Sequence, residues 1–525
     1  MISLQRISQG VFLVSFCLAV FSGSLTVLSW LESRFFISLD PLLYMAGVLS
    51  AGVILPGLAV FCVLMATSLV LGRFFCAYVC PLGTTFDLFY AILPVVRKSN
   101  GRIRIDPGWK HFFLILVLVS AILGLNLSHW GAPLSLAGRL YALVSKSLAF
   151  FALHVFDSQL CSGECLGLAS PMKYQGLFLL SLIFGVLLFF NQHTKRFWCR
   201  YLCPAGGLLA LLAPLSPVRR NVSEKCTYCG LCQRKCPMQA ILDDPKKTDQ
   251  SQCIVCHLCV RECPVKAIDF KLGYIKNEGF QRFWPGRRTI VYGMTVGIFG
   301  AFVGKQGLQE NWSEKDKGRV LSQNLLRPPG SVPEPMFLNL CTRCGLCMDV
   351  CPSNMLQPAL LEAGFSGIFS PVVVARRGAC ATECNACGQV CPTEAIRPLG
   401  REEKSWAKIG TAVIDQKLCL AWSFERSCLV CDEACPYGAI ELKKIVGQQV
   451  AVPKVKAMHC TGCGYCEYSC PVQGQSAIRV LPLFEMRLKE GSYIQEGKRI
   501  GLHINRDQET EAKMQQEGLP PGFSD

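Results

Sequence analysis

Charged side chains are scarce: Asp, Glu, Lys and Arg make up 17% of 525 residues, against 51% hydrophobic. Together with 32 cysteines, that balance excludes a simple soluble enzyme. Uncharged runs such as residues 112–128 predict that part of the chain lies in a membrane. Acid is the scarcer sign, with 37 Asp and Glu against 53 Lys and Arg, which leaves a formal charge of +16. On its own such a surplus suits an acidic partner or an anionic lipid surface. No substrate-pocket motif is recognisable. The cysteines are not crowded into a short chain, as in a secreted disulfide scaffold, but recur as quartets from Cys226 to Cys470. That spacing points to metal ligation.

Four apolar stretches, residues 11–31, 42–71, 109–127 and 174–190, fall in the first 220 residues. Each has about the length that crosses a hydrocarbon core of roughly 30 Å as a helix. The first lacks a clean A-x-A cleavage site and reads as an uncleaved anchor. Arg97, Lys98, Arg102, Arg104 and Lys110 follow the second stretch, and Lys195, Arg196, Arg200, Arg219 and Arg220 follow the fourth. Both connections are therefore expected on the cytoplasmic side. Residues 32–40 and 128–164 are then expected outside, with the amphipathic residues 140–156 along that surface. Trp30, Trp109 and Trp130 read as interfacial anchors. A shorter apolar stretch, residues 289–304, spans about 24 Å as a helix and is expected to cross as a fifth span. Gly293/Gly297 and Gly300/Gly304 would let it pack closely on the bundle.

Cys226, Cys229, Cys232 and Cys236 with Pro237 form a C-x2-C-x2-C-x3-C-P run, repeated by Cys253, Cys256, Cys259 and Cys263 with Pro264. Three closely spaced thiolates cap three irons of a 4Fe-4S cluster, and the fourth, released by proline, reaches the neighbouring cluster. Cys263 is expected to complete the first cluster and Cys236 the second. A zinc ribbon would use separated C-x2-C pairs instead. Cys253-Ile-Val-Cys256-His257 fits a c-type haem attachment motif, but the quartet already uses both cysteines. Downstream, Cys341, Cys344, Cys347, Cys351 and Cys460, Cys463, Cys466, Cys470 keep the standard spacing. Cys380, Cys384, Cys387, Cys391 and Cys419, Cys428, Cys431, Cys435 lengthen only the first gap, and all four quartets end in Cys-Pro. Among these the expected pairing is nested, first with fourth and second with third. Six clusters strung along one chain imply a wire that carries electrons singly. At about −2 each, thiolates included, they lower the formal charge to roughly +4, so nucleic-acid binding loses its support.

Eight cysteines remain. Cys17 and Cys62 read as small hydrophobes. Cys161 and Cys165, expected outside, form either a disulfide or redox pair or a structural feature. Arg73-Phe-Phe-Cys76-Ala-Tyr-Val-Cys80-Pro81-Leu-Gly83 repeats as Arg196-Phe-Trp-Cys199-Arg-Tyr-Leu-Cys203-Pro204-Ala-Gly206. Pseudo-symmetry could bring Cys76, Cys80, Cys199 and Cys203 together as a tetrathiolate metal or cluster site, or as two redox-active dithiols.

These motifs resemble a known family. The first 285 residues are similar to the NapH-type membrane ferredoxins, and in outline to the membrane part of NosR; residues 286–480 resemble the NapG-type, MauM-like four-cluster proteins. Gly286-Arg287-Arg288-Thr289 resembles the twin-arginine signal of the NapG type. The fold expected is an α-helical membrane bundle, four spans plus a fifth, carrying small α+β bacterial-ferredoxin-like 4Fe-4S modules. Its parts would be a membrane domain (1–218), a cytoplasmic two-cluster module (219–285), the twin-arginine-like motif and fifth helix (286–304), a linker (305–335), a periplasmic four-cluster domain (336–485) and a polar tail (486–525). The resemblance implies a quinol dehydrogenase of the bacterial inner membrane, multi-pass, in contact with membrane lipid. It would draw on the quinone pool and feed a periplasmic reductase or c-type cytochrome. An electron-supplying assembly factor, or one that reduces a metal for a metalloenzyme, is the other expectation.

Overall fold

The computed structural model describes residues 4–21, 33–92, 106, 108–145, 174–273, 286–310, 325–446 and 448–504. The chain divides into two compact units, Met1–Glu310 with Leu338–Asp349, and Asn311–Phe337 with Val350–Asp525.

In the first unit, backbone-breaking residues decide how the apolar stretches fold. α1 (Leu4–Phe21) has 18 residues. α2 (Pro41–Ala51) begins behind Asp40, whose carboxylate accepts from the N–H groups of Leu42 and Leu43, and stops at Gly52 in the left-handed conformation, φ 65°. Cap, proline and glycine are the ordinary start and stop signals. Gly57, φ 97°, then opens α3 (Leu58–Leu71). One apolar run thus becomes helices of 11 and 14 residues, about 17 and 21 Å long. α4 (Pro81–Ile92) follows the first C-x3-C-P copy. α5 (Trp109–Ile122) has 14 residues and ends where Gly124 turns left-handed and Leu125 N–H bonds Ser120 O at 2.8 Å. α6 (Leu177–His193) has 17 residues, about 26 Å, and α7 (Pro204–Leu212) follows the second C-x3-C-P copy.

Among the described residues, no helix is long and apolar enough to cross a membrane. That finding overturns the expected membrane bundle and the multi-pass inner-membrane location derived from it. The fifth span fails differently from the first four. α8 (Arg287–Glu310) has 24 residues, but Arg287, Arg288, Lys305 and Gln306 and its glycines dilute its apolar character. Of the two small-residue pairs, Gly293/Gly297 packs closely on α5, where a Cβ on Gly293 would lie 3.1 Å from Ile115 and one on Gly297 3.1 Å from Val119, whereas Gly300 has nothing within 4 Å. The apolar residues partly fill the core, as Phe16, Leu42, Phe75, Phe86, Leu114 and Leu209 do, and partly stay exposed, as Phe178 and Phe189 on α6 and Phe299 and Phe302 on α8 do.

Behind α7 the first unit carries an antiparallel pair, β1 (Val218–Val222) with β2 (Ile268–Leu272), registered Arg220 to Phe270. Its two cysteine quartets lie between the strands in sequence.

The second unit contains the antiparallel pair β3 (Leu356–Pro358) and β4 (Pro371–Val373). Further on, β5 (Thr411–Ile414) pairs with β8 (Ile478–Leu481) and encloses in sequence the pair β6 (Ile440–Lys443) and β7 (Val452–Val455). Ala412, Ala439, Ile440, Ala477 and Ile478 pack there against Cys460, Cys466 and Cys470. This enclosed pairing fits the expected small α+β modules.

A buried charge cluster ties the ends of this unit. Glu334 accepts from Arg327 Nε at 3.0 Å and from Arg487 Nη1 at 2.5 Å, while Arg327 Nη1 donates to Pro371 O at 2.7 Å. Burial favours the neutral acid, but Arg327 and Arg487 outweigh it and hold Glu334 below its ordinary 4.5. A depressed carboxylate stabilises the fold above its unfolded pKa and loses that contribution as pH falls through the folded one. Glu334→Gln leaves Arg327 uncompensated, while Arg487 keeps Glu485 at 2.7 Å, and is expected to cost about 3 kcal/mol at pH 7, read by denaturant unfolding. The gap to the parent should narrow below pH 4.5.

Candidate functional site

Each cysteine loop is built on left-handed residues at recurring places. The residue before the second cysteine is one: Tyr228, Val255, Arg343 and Gly462 have φ of 52°, 53°, 53° and 81°. The third residue after the Cys-Pro cysteine is another: Gln239, Lys266, Asn354, Glu394 and Gly438 have φ of 50°, 49°, 53°, 54° and 55°. A β-branched residue such as Val255 adopts this region only under tertiary constraint. The turn aims N–H groups at sulfur: Ala240, Ala267 and Ala439 N–H reach Cys236, Cys263 and Cys435 Sγ at 3.4, 3.3 and 3.3 Å. Such bonds stabilise thiolate and tune cluster potentials.

Cys236 joins Cys253, Cys256 and Cys259 around a cavity lined by Ile254 and Phe270, as the released-cysteine rule expects. In the second unit Cys419, Cys428 and Cys431 share a cavity with Cys470. Cys460, Cys463 and Cys466 share another with Cys435. Cys351 adds its charge to those of Cys380 and Cys384 around Cys387. The nested pairing is therefore corrected: the third quartet exchanges its last cysteine with the fourth, and Cys351 of the first goes to the second. Adjacent quartets can do this because β5–β8 close one module around both. Burial pushes the thiols of Cys253, Cys431 and Cys463 up to about 12, so four such groups become thiolates only against a strongly cationic core. Among the described residues no three Cys, His, Asp or Glu stand close enough for a single metal ion. Three thiolates from one loop and a fourth from its neighbour suit an iron-sulfur cubane.

The two modules of the second unit touch at cysteine backbone: Cys380 N–H donates to Cys463 O at 2.8 Å. Two buried lysines flank this junction. Lys404 Nζ donates to Ala381 O, beside Cys380, and Lys408 Nζ donates to Cys460 O and to Ala457 O, the latter at 2.7 Å. Arg220, read from sequence only as a basic flank, lies between the clusters of the first unit, with Nη2 3.6 Å from Cys232 Sγ and its charge acting on Cys259. Nothing in local spacing marks these three cations, since their partners are distant in sequence.

The C-x3-C-P cysteines lie near enough to act on one another's charge. Cys80, Cys199 and Cys203 are buried and Cys76 half-buried, and each thiol of Cys80 and Cys203 feels the charge of Cys76 and Cys199. Cys17 is half-buried and Cys62 exposed, whereas Cys161 and Cys165 lie outside the described residues.

Loops of this construction define an iron-sulfur protein, and the comparisons agree. Residues 53–100 with 174–223, and residues 337–357, match 4Fe-4S binding domain families; residues 218–264 and 426–473 each match a 4Fe-4S dicluster domain. The methylamine utilization ferredoxin-type protein MauM of Methylorubrum extorquens is 39% identical over 165 residues, 30% of this chain and 72% of that protein. MauM of Methylophilus methylotrophus is 38% identical over 174 residues, 32% and 75% of the two chains. The ferredoxin-type protein NapG of Escherichia coli is 40% identical over 168 residues, 30% and 71%. The chain belongs to the MauM/NapG ferredoxin-type proteins and transfers electrons through 4Fe-4S clusters.

Two outcomes test the geometry. Cys470→Ala combined with Cys419→Ala should remove about four irons, no more than either alone, whereas Cys470→Ala combined with Cys460→Ala should remove about eight; iron analysis of anaerobically purified protein decides. Lys404→Gln should lower the potential of one cluster by on the order of 60 mV, which is about 1.4 kcal/mol for one electron, while Lys404→Arg restores it in an EPR-monitored redox titration.

Proposed function

We propose that the chain is an electron wire that oxidises a quinol and delivers the electrons singly to a reductase or a c-type cytochrome. The exchange of Cys236, Cys435 and Cys470 between adjacent quartets carries this reading, because it sets clusters side by side in pairs and joins the pairs through Cys380 and Cys463. Each of the six quartets, Cys226 to Cys263 in the first unit and Cys341 to Cys470 downstream, supplies four thiolates, for about 24 irons in six clusters. Oxidation of one quinol releases two electrons and two protons, and since each cubane takes one electron, a series of clusters separates the pair. The first 285 residues act as a NapH-type partner fused to the MauM/NapG-type part. Relatives named for methylamine utilization support a role in supplying or draining a dedicated redox enzyme.

The proximity of Cys76, Cys80, Cys199 and Cys203 favours a second reading, in which the wire supplies electrons for assembling or reducing a metal centre of another enzyme. One comparison separates the two. Anaerobic addition of a short-chain quinol should reduce the clusters, seen as growth of the reduced-cluster EPR signal and matching quinone formation. No reduction by quinol, together with rapid oxidation of dithionite-reduced protein by cupric ion, would leave the metal-reducing reading in its place.

A further inference from the structure

The two C-x3-C-P copies are locked together by crossed arginines. Arg73 stands three residues before Cys76, and Arg196 three before Cys199. Each guanidinium reaches the Cys-Pro-x-Gly turn of the other copy: a Cβ on Gly206 would lie 3.0 Å from Arg73 Nη2, and one on Gly83 3.8 Å from Arg196 Nη2. In both turns the glycine N–H serves the Cys-Pro sulfur, Gly206 N to Cys203 Sγ at 3.2 Å and Gly83 N to Cys80. These are the N–H to sulfur bonds seen in the cluster loops, repeated about a pseudo-two-fold relation.

Charge at this site is unbalanced in one direction. Arg196 is neutralised by Asp87, with Nη2 2.6 Å from Oδ2. Arg73 is 0% exposed, donates from Nη1 to Ser251 O at 3.0 Å, and has no partner for Nε or Nη2. Lys110, also 0% exposed, donates from Nζ to the neutral Gln252 Oε1 at 2.8 Å. The one carboxylate acting on this pair is Asp249, on Lys110, so net positive charge is left beside the four thiols and favours an anion there, because an uncompensated buried charge is strongly destabilising. Four thiolates on a cubane core carry a charge of about −2.

We propose that Cys76, Cys80, Cys199 and Cys203 hold a seventh iron-sulfur cluster, with Arg73 and Lys110 as its counter-charge and the cluster at Cys236, Cys253, Cys256 and Cys259 as its electrical neighbour. The neighbour follows from the backbone: Ser251 and Gln252, which accept from the two cations, directly precede Cys253, and Tyr78 OH donates to Val255 O at 3.1 Å. Ligation releases one proton from each of the four thiols. A cluster held there would supply a one-electron carrier next to that neighbour. This goes beyond the match of residues 53–100 and 174–223 to a 4Fe-4S domain family by naming the ligands, the balancing cations and the next carrier. It rests on the reading of the six quartets as cluster ligands.

The full-length parental protein, purified anaerobically, should contain about 28 irons with matching acid-labile sulfide, and native mass spectrometry should count seven clusters. Cys76→Ser with Cys199→Ser should lose one cluster and keep six, with the remaining EPR signals intact. A parental count of six clusters, with or without one zinc per chain, overturns the seventh site and leaves the six-quartet reading standing. A parental count below six overturns that reading first. The parental count decides even if the double variant does not fold.

Discussion

A cubane cluster presents four corners, and a tight C-x2-C-x2-C loop reaches three of them. The fourth thiolate must come from elsewhere in the chain. This constraint organises the second unit: Cys435 and Cys470 leave their own loops behind a proline, and the strands β5 and β8 hold the two loops of one module at the distance the exchange requires. It also explains the strained turns. Val255 and Arg343 take left-handed backbone because the loop must point both sulfur and N–H groups inward, and the cost of order 1 kcal/mol or more per residue is offset only when the loop closes on something.

Burial supplies the second half of the logic. A thiol surrounded by apolar atoms keeps its proton, as the rise of Cys253 and Cys463 to about 12 shows. Its thiolate is stable only beside positive charge, and the chain places that charge in two forms. The cluster core is one; guanidinium and ammonium groups drawn from remote segments are the other. Arg220 serves two loops of the first unit, and Lys404 and Lys408 stand at the junction of the two modules in the second. Lys404 beside Cys380 and Lys408 at Cys460 O put two ammonium groups near the Cys380 to Cys463 contact.

What was legible in the sequence was local. The quartets, their Cys-Pro endings, the exchange of Cys236 and the C-x3-C-P repeat all depend on spacings of a few residues, and each is visible in the folded chain. The nested pairing failed because sequence carries no distance between quartets; the enclosure of β6 and β7 by β5 and β8 supplies it. The membrane spans failed for the opposite reason. Hydropathy averages over a window, whereas Gly52 and Gly124 each stop a helix at one residue and Gly57 restarts one, so a run such as residues 42–71 is cut where its average is still high. Arg219 and Arg220 were read by position as topological signals, but Arg220 faces inward to Cys232.

The same electrostatics makes folding and cofactor loading one process. Burial alone would lower the Lys404 pKa, yet the Cys380 thiolate, then Tyr437, outweighs it and raises the group, so the lysine stays charged because of an anion that itself exists only with metal. Lys408, facing Cys460 with weaker compensation, is lowered. Remove the clusters, and the fold retains buried ammonium groups opposite protonated thiols, left-handed turns closing on nothing, and a thin core in which cysteines stand among Ala412, Ala439 and Ile478. Iron-sulfur ligation is therefore a structural element of the second unit as much as its conductor, and the cations that hold the modules together are also the groups that bias where an electron rests.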